Sequence, residues 1–244
     1  MVPTTNQIFS YLFTFVIYAT TLNWRVALVL MIGVSFHECG HLWAANKVGL
    51  KTGGFFLWPF VGGAALIQSR YHRYSQQVFT AIMGPVWGSS MAFASYGLYL
   101  MTGLPLLGEA AEWMAIINLF NLAPLSQLDG GLIMETITFS INETFGVVLM
   151  AISTLIGVVV AWSFNPMISV LIIIFGGKYL WSSYNNWNFR RQGLGYLISP
   201  LPKLMNKIKI FQTIGAYCIT AGSLFFLYSL IKSDGEISVS NLFH

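Results

Sequence analysis

Long apolar runs leave this chain few ways to fold. A helix needs about 20 mainly apolar residues, with a range of about 17–25, to cross a bilayer. By that measure seven stretches are candidate spans: residues 5–22, 24–46, 77–101, 110–123, 145–164, 166–181 and 210–231. The stretches at 110–123 and 166–181 are short. The first is followed by Pro124 and a polar, Gly-containing segment reaching Gly131, which predicts a helix that breaks there. Charge is scarce: 12 basic and 8 acidic side chains in 244 residues, or 8% charged, against about 25% in an average soluble domain. So few charges cannot cover a soluble surface, and so apolar a chain does not stay disordered. Two cysteines, Cys39 and Cys218, exclude a disulfide scaffold. Residues 1–7 hold no Lys or Arg before the first apolar run, and no A-x-A-like site follows, so that run reads as a retained helix and not a cleaved signal.

The basic residues divide unevenly between the connecting segments. Ten of the twelve (Lys47, Lys51, Arg70, Arg73, Lys178, Arg190, Arg191, Lys203, Lys207 and Lys209) fall on one side, and only Arg25 and Lys232 on the other. Cytoplasmic loops carry the Lys/Arg excess, which predicts a cytoplasmic N-terminus. Topology thus accounts for the net charge of +4, and no nucleic-acid partner is expected. Glycine pairs at Gly53-Gly54 and Gly62-Gly63 bracket an aromatic-rich, β-like run. The expected fold class is an all-α polytopic membrane protein of about seven transmembrane helices, with a short membrane-associated β-hairpin after the second.

Ionisable residues at membrane depth are costly, about 2.5–3.5 kcal/mol each at a helix centre, and mark function. Phe36-His37-Glu38-Cys39-Gly40-His41 lies inside the second run. Helical spacing puts His37 and His41 one turn apart on the same face. Two such imidazoles can share one Zn²⁺, with Glu38 placed as general base toward its water. A catalytic zinc takes three protein ligands, and the candidates for the third are Asp129, Glu109, Glu112, Glu135, Glu143 and His72. Asp129 fits best. It follows a run descending from the opposite face, so it falls at similar depth, and Pro124 frees the backbone just before it. Cys39 points away from the two histidines and is expected to be an inert thiol.

These residues resemble the site-2 protease family of intramembrane zinc metalloproteases. His37-Glu38-Cys39-Gly40-His41 is that family's H-E-x-x-H, and the segment from Asn121 to Gly130 fits its N-x-x-P-x-x-x-L-D-G at every defined position. Leu57-Trp58-Pro59-Phe60-Val61-Gly62-Gly63 looks like its hairpin, and Gly84-Pro85 and Asn165-Pro166 look like its helix starts. Gly88 stands where an Asn is often found, and Ser126-Gln127 where Pro is common.

The resemblance implies one Zn²⁺ per chain on His37, His41 and Asp129, with Glu38 as base. It also implies Asn121 as a polar partner of the scissile carbonyl, whereas Asn118 reads as structural. Phe55, Phe56, Leu57, Gly62 and Gly63 are expected to host an unwound substrate by strand addition. The implied substrate is a single-pass membrane protein with a cytoplasmic N-terminus, such as a membrane-tethered transcription regulator. The implied setting is a prokaryotic plasma membrane. The expected organisation is a six-span core at 1–185, a basic cytoplasmic loop at 186–209 and an added span with a short tail at 210–244. The competing expectation is a zinc-binding transporter or sensor without proteolytic activity.

Overall fold

The computed structural model describes residues 4–59, 62–125, 128–164, 166–192 and 202–233. Its elements are α1 (Thr5–Thr21), α2 (Trp24–Lys47), β1 (Thr52–Trp58), β2 (Gly62–Ile67), α3 (Tyr74–Thr102), α4 (Pro105–Asn121), α5 (Asp129–Ile141), α6 (Glu143–Phe164), α7 (Pro166–Arg191) and α8 (Lys207–Ser233). The described residues are thus mostly helical, with one two-stranded antiparallel sheet. Each of the seven apolar stretches falls on a helix. Three are long and apolar enough to cross a membrane by length and composition: α2, the Glu143–Ser163 part of α6, and α8. Phe60, Val61, Ser126, Gln127 and Asn165, which the motif reading used, lie outside the described residues.

Several boundaries differ from the sequence expectation. Gly84-Pro85 does not open a helix but sits inside α3. Proline removes one ladder donor, and Ser89 Oγ donates to the Pro85 carbonyl at 2.6 Å in the following turn. Helix α5 is not among the expected spans, because its 13 residues are too few to cross a bilayer. Helix α7 continues past the apolar run to Arg191, since a polar tail such as Ser182–Arg191 offers ordinary helix formers once the apolar part is in place.

The chain divides into two compact units, Met1–Arg70 with Met83–Phe120 and Cys218–His244, and Tyr71–Ile82 with Asn121–Tyr217. In the first unit α1 packs on α2 and on β1, and the hairpin packs on α2. Thr4 and Gln7 close a capping box at the start of α1. The buried polar residues of α1, Gln7, Ser10 and Thr14, form one helical face turned to the outer edge of β1. Gln7 Nε2 donates to the Gly53 carbonyl at 2.7 Å, and Thr14 Oγ1 to the Leu57 carbonyl at 3.0 Å. The Leu57 amide donates to Ser10 Oγ at 3.3 Å, and Tyr11 Oη to the Phe55 carbonyl at 3.5 Å. An apolar helix carries a polar stripe here because a strand edge in apolar surroundings must find partners. The same closeness makes Gly54 a bulge residue: its φ is +86°, and a Cβ would lie 2.5 Å from Gln7 Nε2. The sheet register shifts at that point, between Thr52 and Phe55.

The remaining core of the first unit joins α2, α3, α4 and α8 through Val29, Ala92, Tyr96, Ala111, Met114, Leu227 and Ile231. Leu224, Leu227 and Ile231 of α8 have no exposed surface. Lys232, at the end of α8, pairs with the buried Glu112 of α4.

In the second unit, α5 packs on α6 and α6 on α7. Ser183 Oγ donates to Glu135 Oε1 at 2.7 Å, Arg190 pairs with Glu143 at 3.3 Å, and the Met205 amide donates to Ser140 Oγ at 3.1 Å. Outward-facing Ile152, Leu155, Ile156 and Val159 on α6 are at least half exposed. Apolar faces of that kind suit lipid, not water, and together with the apolar helices they point to an integral membrane protein.

Glu112 is 1% and Lys232 39% exposed, so removing the ammonium leaves a buried carboxylate without its counter-charge. Lys232→Met is expected to lower the unfolding midpoint in detergent, by less than the about 3–5 kcal/mol of a fully buried pair. Adding Glu112→Gln should recover most of the loss, as read by thermal unfolding of the single and double variants.

Candidate metal centre

Helix α2 forms without apolar periodicity to guide it, because apolar residues lie both on its buried face and on its exposed one, where Leu28, Ile32 and Trp43 stand. Its C-terminal half carries His37, Glu38 and His41, which are 2%, 4% and 7% exposed. One turn separates the imidazoles. Their rings meet edge to face with centroids 4.7 Å apart, and Nε2 faces Nε2 at 3.0 Å. Two nitrogens each about 2.0–2.1 Å from one tetrahedral zinc stand about 3.3 Å apart. The pair therefore suits a single ion with a few tenths of an ångström of adjustment.

Three glycines in the first unit shape the space around this pair. At Gly84 of α3 a Cβ would lie 2.3 Å from His41 Nε2 and 2.8 Å from His37 Nε2. Only a residue without a side chain leaves the nitrogens uncovered. At Gly63 of β2 a Cβ would lie 2.4 Å from Glu38 Oε1, so the strand backbone runs against the carboxylate. At Gly88 a Cβ would lie 2.1 Å from Asn118 Oδ1. Asn118 of α4, 1% exposed, meets His37 Nδ1 through Oδ1 at 2.7 Å.

The first unit thus brings together His37, Glu38, His41 and Gly63, with Gly62 beside them in sequence. Asn118, read from sequence as structural, touches a candidate ligand. Its signal was its spacing: it lies one turn before Asn121 on the same helix, and nothing in one sequence says which of the two faces α2. Phe55 and Leu57 have backbone groups engaged by α1, and Phe56 lies between them on β1, opposite Ala64.

Asp129 and Asn121 belong to the second unit. Asn121 ends α4 and is half-buried; Asp129 opens α5, also half-buried. A carboxylate in a helix's first turn is favoured by the unpaired amides there. The predicted break between them is present. Its backbone folds tightly: a Cβ at Gly130 would lie 2.1 Å from the Leu122 carbonyl, and Tyr217 Oη donates to that same carbonyl. Burial pushes the Tyr71 phenol up to about 12, eased by its bond with Thr80 and raised further by the Asp129 carboxylate. Tyr71 therefore remains a proton-bearing donor at neutral pH. Of the other acids considered as third ligand, Glu112 pairs with Lys232, Glu135 with Ser183 and Glu143 with Arg190.

Two histidines one turn apart, a buried glutamate between them and bare glycine in front form an arrangement suited to a metal ion and a general base. Comparison with known proteins agrees. The model of Peptidase family M50 matches residues 25–111, which include the histidine pair. A protein of Synechocystis sp. described as "Putative zinc metalloprotease" is 30% identical over 130 residues, 50% of this chain. The match spans 34% of that relative's length. The site-2 protease of Methanocaldococcus jannaschii has a related structure, with TM-score 0.49 and 21% identity over 74% of this chain and 87% of that one. Over residues 25–111 the chain is thus similar to Peptidase family M50.

Gly84→Ala should place a methyl group against both Nε2 atoms. Metal analysis after zinc repletion is expected to show at least a tenfold loss of bound zinc, with helix content by circular dichroism unchanged. Retention of a full equivalent of zinc would contradict the geometry.

Proposed function

We propose that this protein is an intramembrane zinc metalloprotease that hydrolyses a peptide bond in or near the transmembrane segment of a single-pass membrane protein. The observation that carries the reading is the facing His37–His41 Nε2 pair, 3.0 Å apart, with Glu38 buried beside it. With Asp129 as third ligand, by its place in the family pattern, two imidazoles and one carboxylate make a donor set that suits zinc. Zinc, when bound there, supplies a Lewis acid that lowers the pKa of a water molecule and draws electron density from a peptide carbonyl. Glu38 takes the proton of the attacking water and returns it to the leaving amine. Asn121, by its place in the family pattern, donates to the carbonyl oxygen as charge builds there.

A substrate helix must unwind before its carbonyls are available, and the hairpin gives the extended segment a template. On β1, the Leu57 amide and carbonyl turn to α1. Leu57 and its partner Gly63 are therefore a pair that does not bond across the sheet, and alternation turns the groups of Gly63 and Ala65 away from β1. Among the described residues no strand pairs with that edge. A segment added there lies about 4.8 Å from β2, within a side chain's reach of Glu38. The substrate strand is thus assigned to the edge of β2, and Gly62 and Gly63 are nearer to it than Phe55, Phe56 and Leu57.

The seven apolar stretches are read as seven crossings, with the N-terminus and the ten-residue basic excess in the cytoplasm of a prokaryotic cell. Membrane-tethered transcription regulators are the substrate class the reading favours. A zinc transporter or sensor would have no use for a buried carboxylate between the two ligands.

Glu38→Gln is the direct test. It should retain one zinc per chain and lose at least a thousandfold of cleavage of a co-expressed single-pass reporter, scored by immunoblot. Cleavage at the wild-type rate would sink the assignment. A second variant addresses the substrate strand: Ala65→Pro removes one outward amide at an edge that tolerates proline. It should cut the cleavage rate about tenfold with zinc content unchanged.

A further inference from the structure

We propose that Asn118 is the positioning residue that fixes His37 as a metal ligand, and that Gly88 exists to admit its side chain. The inference rests on the zinc centre proposed above and adds the device that orients it. Asn118 Nδ2 donates to the Met114 carbonyl, one turn earlier in α4, at 2.7 Å. That bond commits the amide's NH₂ end, so Oδ1 is the atom at 2.7 Å from His37 Nδ1. The reversed amide would set an oxygen against the Met114 carbonyl, acceptor against acceptor. Since Oδ1 only accepts, Nδ1 of His37 carries the proton, and the lone pair resides on Nε2. Nε2 is the atom that faces His41 Nε2 at 3.0 Å. A single amide thereby selects the tautomer and the ring orientation that zinc needs.

The amide has no room to turn aside. Asn118 is 1% exposed, and the Gly88 backbone holds it on the α3 side, where a Cβ would come within 2.1–2.4 Å of Oδ1, Nδ2 and Cγ. Glycine at 88 and asparagine at 118 are one unit: a methyl at 88 would displace the amide without removing it. Loss of such a partner of a ligating histidine typically lowers metal affinity 10–100-fold.

The test is zinc affinity of the full chain in detergent, by chelator competition, with the absorption bands of the cobalt-loaded protein as a second readout. Asn118→Leu keeps the size and loses the acceptor, and should weaken zinc binding 10–100-fold and shift the cobalt bands. Gly88→Ala should do the same with Asn118 intact. Asn118→Asp keeps an acceptor toward Nδ1 but sets its second oxygen against the Met114 carbonyl, and should bind zinc more tightly than the leucine variant and less tightly than wild type. A merely structural asparagine would lower the unfolding midpoint of the leucine variant and leave its zinc affinity in place. Folded Asn118→Leu and Gly88→Ala proteins that bind zinc within twofold of wild type would overturn the proposal and leave the metalloprotease reading standing. A wild-type chain that binds no zinc would overturn both.

Discussion

Two imidazole nitrogens held face to face at 3.0 Å are an arrangement that an apolar interior does not tolerate without a reason. Either a proton is shared between them or a cation lies there, because two bare lone pairs at that distance repel. Everything packed around α2 in the first unit holds this geometry. Gly84 lets α3 come close without covering the nitrogens, α4 delivers the amide of Asn118 to the rear of one ring, and β2 runs past Glu38 at Gly63. Under the proposed reading, a cation between the nitrogens is what the arrangement serves.

The hairpin answers a different constraint. A two-stranded sheet has two edges, and in apolar surroundings each edge group needs a partner. Helix α1 meets the β1 edge with Gln7, Ser10 and Thr14, so one edge is occupied by the fold itself and the other is the strand next to Glu38. The same economy appears in α8, whose Leu224, Leu227 and Ile231 are fully buried and whose Lys232 meets Glu112. Read from sequence as an addition to the core, its C-terminal half is part of the first unit's packing.

Much of the architecture was legible because it is local. Apolar runs of the right length located the helices to within a few residues at most ends, and the broken segment after Asn121 followed from Pro124 and the glycines. The spacing of His37, Glu38 and His41 sufficed to place the two imidazoles on one face of a helix, where the structure has them. Less was legible where partners came from elsewhere. Polar residues at 7, 10 and 14 were visible as a helical stripe, but their purpose required the strand edge they serve. Helix α5 has only 13 residues, too few to span a bilayer, so its apolar length gives no signal, and Asp129 stands at its start, just after the break.

By itself, the sequence determined that this chain lives in a membrane, that its hydrophobic segments are helices, and that α2 carries a histidine pair with a glutamate beside it. These follow from composition and from the 3.6-residue period, which need no knowledge of neighbours. The tertiary structure alone decided that Asn118 meets His37 and that Gly88 makes room for it. It also decided that the outer edge of β1 is met by α1, while among the described residues no strand pairs with the outer edge of β2. Those outcomes depend on which face each helix turns to the next. That choice is made by close packing between segments far apart in sequence, where a single missing Cβ decides how near two backbones come.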